Sequence, residues 1–200
     1  MNSTDPRPLP TRQALHQRVS EVILDGAARV FSRQGADANM TDIAVEAGVA
    51  RATVYRHFPS RQALLDRLVD RAAREAGDRL QAARIVEVPL REAVVRSIRA
   101  LVDVGDYVTV LARAWGTTDG DQLDEAVAGP LHRMVERGQA DGTLRGDVPA
   151  SWLADSLVGM ILAVLASPTK QGREDTVDTI AGLFLEGAAL RDDSQAMEAR

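Results

Sequence analysis

Apolar residues recur every three or four positions through most of the chain, which is the spacing of one face of an α-helix. The first such stretch begins near Thr11 and ends at Gln34, where the following Gly35 suits the left-handed conformation that closes many helices. Later stretches predict helices over 60–85, 90–101, 107–115, 123–139, 151–166 and 174–190, with two short helices between 39 and 58. No stretch alternates as a strand would. The pattern predicts an all-α protein of about nine helices.

The segment between residues 39 and 58 predicts two short helices joined by a tight turn, and it reads NMTDIAVEAGVARATVYRHF. Asn39 can cap the first helix, and Asp42 three residues later completes a variant of the capping box. Gly48 lies where such a turn requires a positive φ. The small Ala44 allows the second helix to cross closely, and the aliphatic Val54 meets it from that helix. The ordered set predicts a helix-turn-helix.

The second short helix presents polar and basic side chains around its apolar stripe. Arg51 and Thr53 lie near its start, where a recognition helix reads base edges in the major groove. An arginine at such a position commonly donates two hydrogen bonds to guanine. Tyr55, His57 and Arg61 suit contacts with phosphates, which position a protein on the duplex. The chemistry of the helix therefore favours binding to double-stranded DNA.

The runs ILDGAARVFSRQG and MTDIAVEAGVARATVYRHFPSRQALL resemble the N-terminal domain of the TetR/AcrR family of bacterial transcriptional regulators, without a gap over residues 18–68. The resemblance implies a DNA-binding domain (11–60) that forms a three-helix unit, followed by a helical ligand-binding and dimerisation domain (61–200). It also implies that eight residues contact DNA: Asn39, Thr41, Arg51, Ala52, Thr53, Tyr55, His57 and Arg61. Asn39 replaces a frequent threonine and Arg61 a frequent lysine, and both keep the required capping or cationic group.

Composition and charge alter this interpretation little. The chain is 45% hydrophobic and 26% charged, as globular proteins are. Its net charge of −5 is unusual for a DNA-binding protein. However, residues 1–58 hold seven arginines against six acidic residues, so the acidity lies in residues 59–200, with seventeen basic and twenty-three acidic residues. The overall charge therefore neither supports nor opposes DNA binding.

Residues 1–10 carry three prolines and no apolar periodicity, and they are predicted to be a disordered arm. Arg7 and Arg12 could reach the minor groove from such an arm, with a solvated tail as the alternative. The arm lacks the apolar core of a signal peptide, and no apolar run is long enough to span a bilayer. The expected compartment is therefore the cytoplasm, with no membrane partner.

Several classes of chemistry are not expected. The chain has no cysteine, which excludes disulfides, thiolate metal sites and cysteine nucleophiles. A metal site at His57 is disfavoured because the only other histidines, His16 and His132, lie far away in the sequence. No Ser-His-Asp arrangement, HExxH motif or glycine-rich phosphate loop is visible. We therefore expect neither an enzyme nor a cofactor.

The region from 61 to 200 is expected to bind a small-molecule effector and to form a homodimer. Five side chains could contact the effector, with ordinary core or surface roles as the alternative: Asp106, Tyr107, Trp115, His132 and Met134. The last two helices are expected to pair with their copies in a four-helix interface, with burial inside the protomer as the alternative. That interface would use Leu157, Ile161, Val164, Ile180, Phe184 and Ala188.

The expected function is that of a repressor released from a palindromic operator when the effector binds. The alternative is a ligand-independent DNA-binding dimer whose body serves only for dimerisation. A cavity among the helices between residues 60 and 140 would favour the first hypothesis, and a solidly packed body would favour the second.

Overall fold

The computed structural model describes residues 11–114, 124–167 and 172–189. In these ranges the chain forms nine α-helices: α1 (Arg12–Gln34), α2 (Met40–Glu46), α3 (Arg51–His57), α4 (Arg61–Ala82), α5 (Leu90–Val102), α6 (Gly105–Ala114), α7 (Gly129–Ala140), α8 (Ala150–Ala166) and α9 (Arg173–Ala188). A 3₁₀ turn (Gly35–Asp37) follows α1, and a π-helical stretch, the π segment (Asp124–Ala128), leads directly into α7. The prediction of an all-α fold is confirmed. The predicted arm, residues 1–10, and Trp115 lie outside the described residues.

Contacts divide the chain into two units, Met1–Leu68 and Val69–Arg200, which we call the N-terminal unit and the body. The division falls inside α4. In the N-terminal unit α1 packs against α2, and α2 packs against α3. A Cβ on Gly26 would lie 3.0 Å from both the backbone nitrogen and the Cβ of Ala47, so α1 needs a glycine where α2 ends. Two small residues thus set the distance between these helices.

In the body, α9 packs against α5 and α8, while α7 packs against α5 and α8. An ion pair of 2.6 Å between Arg99 and Glu174 joins α5 to the start of α9. The largest side chains of this core, all with less than 2% of their surface exposed, are Leu80, Ile98, Leu101, Leu131, Met134, Leu144, Leu157 and Ile161. Of the helices that the structure describes, none combines the length and the apolar character needed to cross a membrane.

The end of α4 differs from its prediction. The helix ends at Ala82 instead of continuing to Ile85, and Arg84 lies in the left-handed region with φ +50°. The guanidinium of Arg96 on α5 donates a hydrogen bond of 3.1 Å to the carbonyl oxygen of Ala83. Ile85 is nevertheless buried, at 3% exposure. Ile85 thus reaches the core from a turn and not from a helix. Apolar periodicity alone cannot distinguish these two cases.

The apolar stripes of α8 and α9 are used largely within the protomer. Five residues predicted to form the dimer interface are core residues with at most 2% of their surface exposed: Leu157, Ile161, Ile180, Phe184 and Ala188. They are covered because α9 packs on α5 and α8, and α8 also contacts α7. Only Val164 retains partial exposure. An interface formed by these helices would therefore have to use other side chains, of which Trp152 and Leu183 are 67% and 62% exposed.

Candidate nucleic-acid interface

The start of α2 is capped as predicted. The side-chain oxygen of Asn39 accepts hydrogen bonds from the backbone N–H groups of Thr41 (2.9 Å) and Asp42 (3.0 Å). The second half of the predicted capping box differs, because the Asn39 amide donates to the Asp42 carboxylate at 2.8 Å. In a capping box the Asp42 carboxylate would accept from the backbone N–H of Asn39, whereas here it accepts from the Asn39 side chain. Thr41 is exposed beside the cap, where its hydroxyl is accessible to a ligand.

The turn between α2 and α3 also forms as predicted. Gly48 has φ +65°, and nothing lies within 4 Å of the position that a Cβ would occupy. Backbone conformation, and not space, is therefore what requires glycine here. On the far side of the turn, Val54 is fully buried and Phe58 is 5% exposed. These two side chains fix the rotation of α3 and leave its remaining faces outside the core.

The outward side of α3 carries four exposed residues, Arg51, Ala52, Tyr55 and Arg56, with Thr53 half-buried beside them. The guanidinium of Arg51 lies over the ring of Tyr55, 5.5 Å from its centroid. The same guanidinium also donates to the Tyr55 hydroxyl at 3.5 Å. These residues stand one helical turn apart, so the tyrosine can hold the arginine extended along the helix. The arrangement gives a cationic, aromatic surface that can meet a nucleic acid.

His57, at the end of α3, is half-buried against α1. The Ser20 hydroxyl and His57 Nδ1 share a hydrogen bond of 2.8 Å. The His16 ring stacks on the His57 ring, with centroids 4.0 Å apart and planes inclined by 17°. Burial lowers the pKa of His57, and the nearby His16 and Arg56 lower it further. The sequence analysis did not predict that His16 and Ser20 contact His57, because both are distant from it in the sequence. Its inference that His16 and His57 are far apart was wrong, since the two rings stack.

Arg61, at the start of α4, also has partners within the N-terminal unit. Its Nε donates to the carbonyl oxygen of Ala38 at 3.1 Å, and its guanidinium lies over the Phe31 ring, 5.1 Å from the centroid.

A second cationic contact joins α1 to α2, where Glu46 accepts hydrogen bonds from Arg29 (2.7 Å) and Arg33 (2.5 Å). These hydrogen bonds, Arg29 first, lower the pKa of Glu46. Arginines therefore hold the frame that presents α3.

The side chains predicted to bind an effector have separate neighbours. Met134 is fully buried beside Ser97, whose hydroxyl lies 3.6 Å from its sulfur. Tyr107 is half-buried under the guanidinium of Arg71, 5.9 Å from the ring centroid, and the adjacent Asp106 is exposed. His132 lies 3.9 Å from a carboxylate oxygen of Asp155. Among the residues that the structure describes, Met134, Tyr107 and His132 thus make these contacts with different partners.

A groove of about 840 Å³ opens elsewhere in the body, and we call it the α4–α7 groove. Its walls are the C-terminal half of α4, the connection from α4 to α5, the π segment and the start of α7. Charged and apolar side chains both line it, including Arg74, Leu80, Ile85, Val86 and Arg133. None of the predicted effector residues that the structure describes is among them. Nothing in the sequence marks these residues as neighbours, because the two sides of the groove come from distant parts of the chain.

Across the described residues, no group of three or more histidine or acidic side chains is arranged to hold a metal ion. The stacked imidazoles of His16 and His57 lie face to face, so their nitrogen lone pairs do not converge on a common point. The site consists of a capped helix, a glycine turn and an exposed cationic helix face.

Comparison with known proteins identifies this unit. Residues 23–68 match the family model described as bacterial regulatory proteins, tetR family. An uncharacterised HTH-type transcriptional regulator of Mycobacterium tuberculosis is 34% identical over 113 residues, which cover 54% of this chain and 53% of that protein. The chain thus matches about half the length of that relative. The HTH-type transcriptional repressor LfrR of Mycolicibacterium smegmatis is 29% identical over 143 residues, covering 68% of this chain and 71% of LfrR.

Solved structures extend the likeness to the body. The crystal structure of LfrR from Mycobacterium smegmatis in complex with proflavine has a TM-score of 0.69 at 25% identity, covering 88% of this chain and 99% of that one. AibR, crystallised with isovaleryl coenzyme A and operator DNA, shares the fold with a TM-score of 0.66 at 19% identity, covering 82% of this chain and 97% of AibR. The matched motif, the capped and glycine-turned helix pair and the shared all-α fold agree: the chain carries the N-terminal domain of the TetR family of bacterial transcriptional regulators on a TetR-like fold.

Proposed function

We propose that this protein is a sequence-specific DNA-binding transcriptional regulator that binds a pseudo-palindromic operator as a homodimer. The observation that carries the proposal is the geometry of α3. Its inward side is fixed by the buried Val54 and Phe58, and its outward side presents Arg51, Ala52 and Tyr55 to solvent. A short helix held in this way can enter the major groove, with residues near its N-terminus against base edges.

We assign the contacts by position and chemistry. Arg51, Ala52 and Thr53 lie at the start of α3 and would meet bases, whereas Asn39, Thr41 and Tyr55 would bind phosphates. His57 and Arg61 are in the proposed contact set as well. Since each already has partners inside the N-terminal unit, their main contribution would be to hold α3 and α4 in place.

The dimer interface is proposed to be formed by α8 and α9 with their copies around a two-fold axis. The accessible apolar side chains Trp152 and Leu183, together with the partly exposed Val164, support this assignment. Two-fold symmetry would place the recognition helices about 34 Å apart, one turn of B-DNA. An operator-binding regulator acts where the chromosome lies, so the cytoplasm remains the expected compartment.

The regulator is proposed to be a repressor that a small molecule releases from its operator. LfrR is described as a repressor and was crystallised with proflavine, and AibR was crystallised with a coenzyme A thioester and operator DNA. The α4–α7 groove favours a ligand-responsive body over one that serves only for dimerisation, because a ligand-independent body has no use for such a space. An effector acts by binding one conformation more tightly, so effector and operator would weaken each other's binding equally.

Selection of bound DNA from a random pool tests the proposal, and two variants test the contacts. We expect an enriched palindromic sequence. Arg51→Ala should relax preference at particular bases, costing about 1–3 kcal/mol for the preferred operator, and Tyr55→Ala should weaken all duplexes alike. Arg91→Ala, on the exposed side of α5, is the control. Enrichment of no sequence, or operator affinity unchanged in both variants, would contradict the assignment of α3.

Sedimentation velocity tests the proposed interface. Trp152→Glu and Leu183→Glu should convert dimers into folded monomers, because each places a charge on an accessible apolar position of α8 or α9. Val45→Glu, at a position 76% exposed on α2, is the control and should leave the mass unchanged. Phe184 is unsuited to this test because it is 2% exposed, and a charge there would unfold the protomer. Dimers that persist in both variants would place the interface elsewhere.

A further inference from the structure

Two backbone irregularities meet at the α4–α7 groove. Among the described residues, Arg84 is the one non-glycine residue with a positive φ, and the π segment is the one π-helical stretch. Arg84 lines the groove directly, and the π segment lines it through Ala126. Such conformations cost free energy and persist only where the surroundings enforce them, which is why they concentrate at functional sites. Their coincidence on one groove marks it as a candidate binding site.

The walls of the groove are held by specific contacts. The guanidinium of Arg137 on α7 donates to three carbonyl oxygens of the α4–α5 connection, those of Ile85 (2.9 Å), Val86 (2.5 Å) and Val88 (3.1 Å). On the other side, a Cβ on Gly77 would lie only 3.1 Å from the Cβ of Ala126, so α4 and the π segment meet closely there. The groove is therefore formed before any ligand arrives, which lowers the cost of binding.

The charges of the groove favour an anion. Its lining includes three arginines and two acidic residues. Arg84 lies 3.5 Å from Glu87, so these two charges offset each other. Arg74 and Arg133 make no hydrogen bond or ion pair within the part of the chain that the structure describes, and the same holds for Asp78. The remaining charges sum to +1. Arginine binds carboxylates and phosphates through paired N–H donors, so two unengaged guanidinium groups suit an acid group.

The same groove also offers apolar surface. Leu80 and Ile85 form a buried floor, and Ala126 and Pro130 line the side that leads into α7. Val86 stands at the groove with 61% of its surface exposed, an apolar side chain that a ligand could cover. The volume of about 840 Å³ is within the range of small-molecule sites, roughly 300–1,000 Å³. A ligand that uses both kinds of surface must carry an acid group on an apolar body.

We propose that the α4–α7 groove binds an amphipathic organic anion, a carboxylate or phosphate ester whose acid group is held by Arg74 and Arg133 and whose apolar body lies on Val86, Ala126 and Pro130. The proposal rests on the regulatory function proposed above and names the chemical class of its effector. It excludes a cationic amphiphile, which the two arginines would repel. Binding itself is measurable without DNA.

Calorimetric titration of the full-length protein, free of DNA, tests the ligand class. Three probes share a ten-carbon chain and differ in their head group: decanoate, monodecyl phosphate and decyltrimethylammonium. We expect one molecule of an anionic probe per protomer and no binding of the cation. The tighter of the two anions identifies a carboxylate or a phosphate ester as the natural head group. Binding of neither anion, or equal binding of the cation, would overturn the proposal.

Variants test the residues. Arg74→Gln and Arg133→Gln should each weaken binding of the anion about tenfold or more, the usual effect of removing a charge-assisted hydrogen bond. Asp78→Asn should strengthen it, because a negative charge leaves the groove. Arg91→Gln removes a surface arginine outside the groove and should have no effect, and thermal unfolding checks that each variant is folded. Unchanged affinity in both arginine variants would overturn the assignment. An anion that binds as expected but leaves operator affinity unaltered would instead contradict the effector role within the proposed function.

Discussion

Glycine is required at Gly26 and Gly48 of the N-terminal unit for reasons that do not apply at Gly159 and Gly182, two helical positions of the body. In the N-terminal unit, Gly26 lies against Ala47 with no room for a Cβ, and Gly48 holds a positive φ in the turn before α3. In the body, Gly159 and Gly182 lie within helices and have nothing within 4 Å of a Cβ position. The frame that presents α3 therefore depends on close backbone approach at fixed positions. The two body glycines face no such steric limit, and the helices that carry them are placed by large apolar side chains.

The functional surfaces of the two units also differ in how far apart in the sequence their determinants lie. The exposed face of α3 is a consequence of short-range pattern, because Val54 and Phe58 determine which residues turn outward. The α4–α7 groove depends on residues from α4, the π segment and α7, which only the folded body brings together. The effect of a substitution in the N-terminal unit on stability should therefore follow from the burial and contacts of the substituted residue. The following experiments test this.

The largest effect is expected at the centre of the N-terminal core. Ile43 is fully buried on α2, so Ile43→Ala should lower the free energy of unfolding by about 2–5 kcal/mol. Val45, two residues away on the same helix, is 76% exposed, and Val45→Ala should stay within about 0.5 kcal/mol. Urea unfolding of both variants provides the measurement. Similar losses at the two positions would show that α2 is oriented differently.

A smaller effect, with opposite signs at Gly26 and Gly182, is expected from adding one methyl group to a helical glycine. Gly26→Ala should lower the free energy of unfolding by about 1–3 kcal/mol, because the new Cβ meets the backbone of Ala47. Gly182→Ala in α9 should raise it by about 0.5–1 kcal/mol, since alanine is the better helix former and the site is open. A gain in stability for Gly26→Ala would remove the contrast between these two positions.

The smallest effect concerns the stacked histidines. Because burial, His16 and Arg56 lower the pKa of His57, the native state binds fewer protons there than the unfolded chain. The stability that depends on neutral His57 is therefore complete above the ordinary pKa of 6.5 and is lost as the pH falls towards the lowered value. His16→Gln removes the second-largest cause, so its melting temperature should fall less than that of the unsubstituted protein between about pH 7.5 and about pH 5.5.

His132→Gln is the matched control for this measurement, because His132 belongs to the body, faces Asp155 and is not one of the two stacked rings. It should retain the full pH dependence. An equal fall in melting temperature for His16→Gln and the unsubstituted protein would mean that the stack does not govern the protonation of His57.

Much of the N-terminal unit was predictable because its determinants are close together in sequence. Asn39 caps the helix that begins at the next residue, Gly48 makes its turn alone, and Val54 faces inward through helical periodicity. The contact assignments for DNA stay predictions. The hydrogen bond between Ser20 and His57 was missed because the two residues are brought together by packing. The same is true of the contact between Arg61 and Ala38.

By itself, the sequence determined the helical class, the capped and glycine-turned motif and its outward polar face, because helical periodicity, caps and turns act over a few residues. Tertiary structure decided which apolar stripes were already covered. Phe184 and Leu157 looked available to a second copy, yet they lie in the protomer's own core, while Trp152 and Leu183 stay exposed. It also decided where the body opens, since Arg74 and Arg133 line one groove only in the folded body. An apolar stripe specifies that a face must be buried, and only the packed chain specifies what buries it.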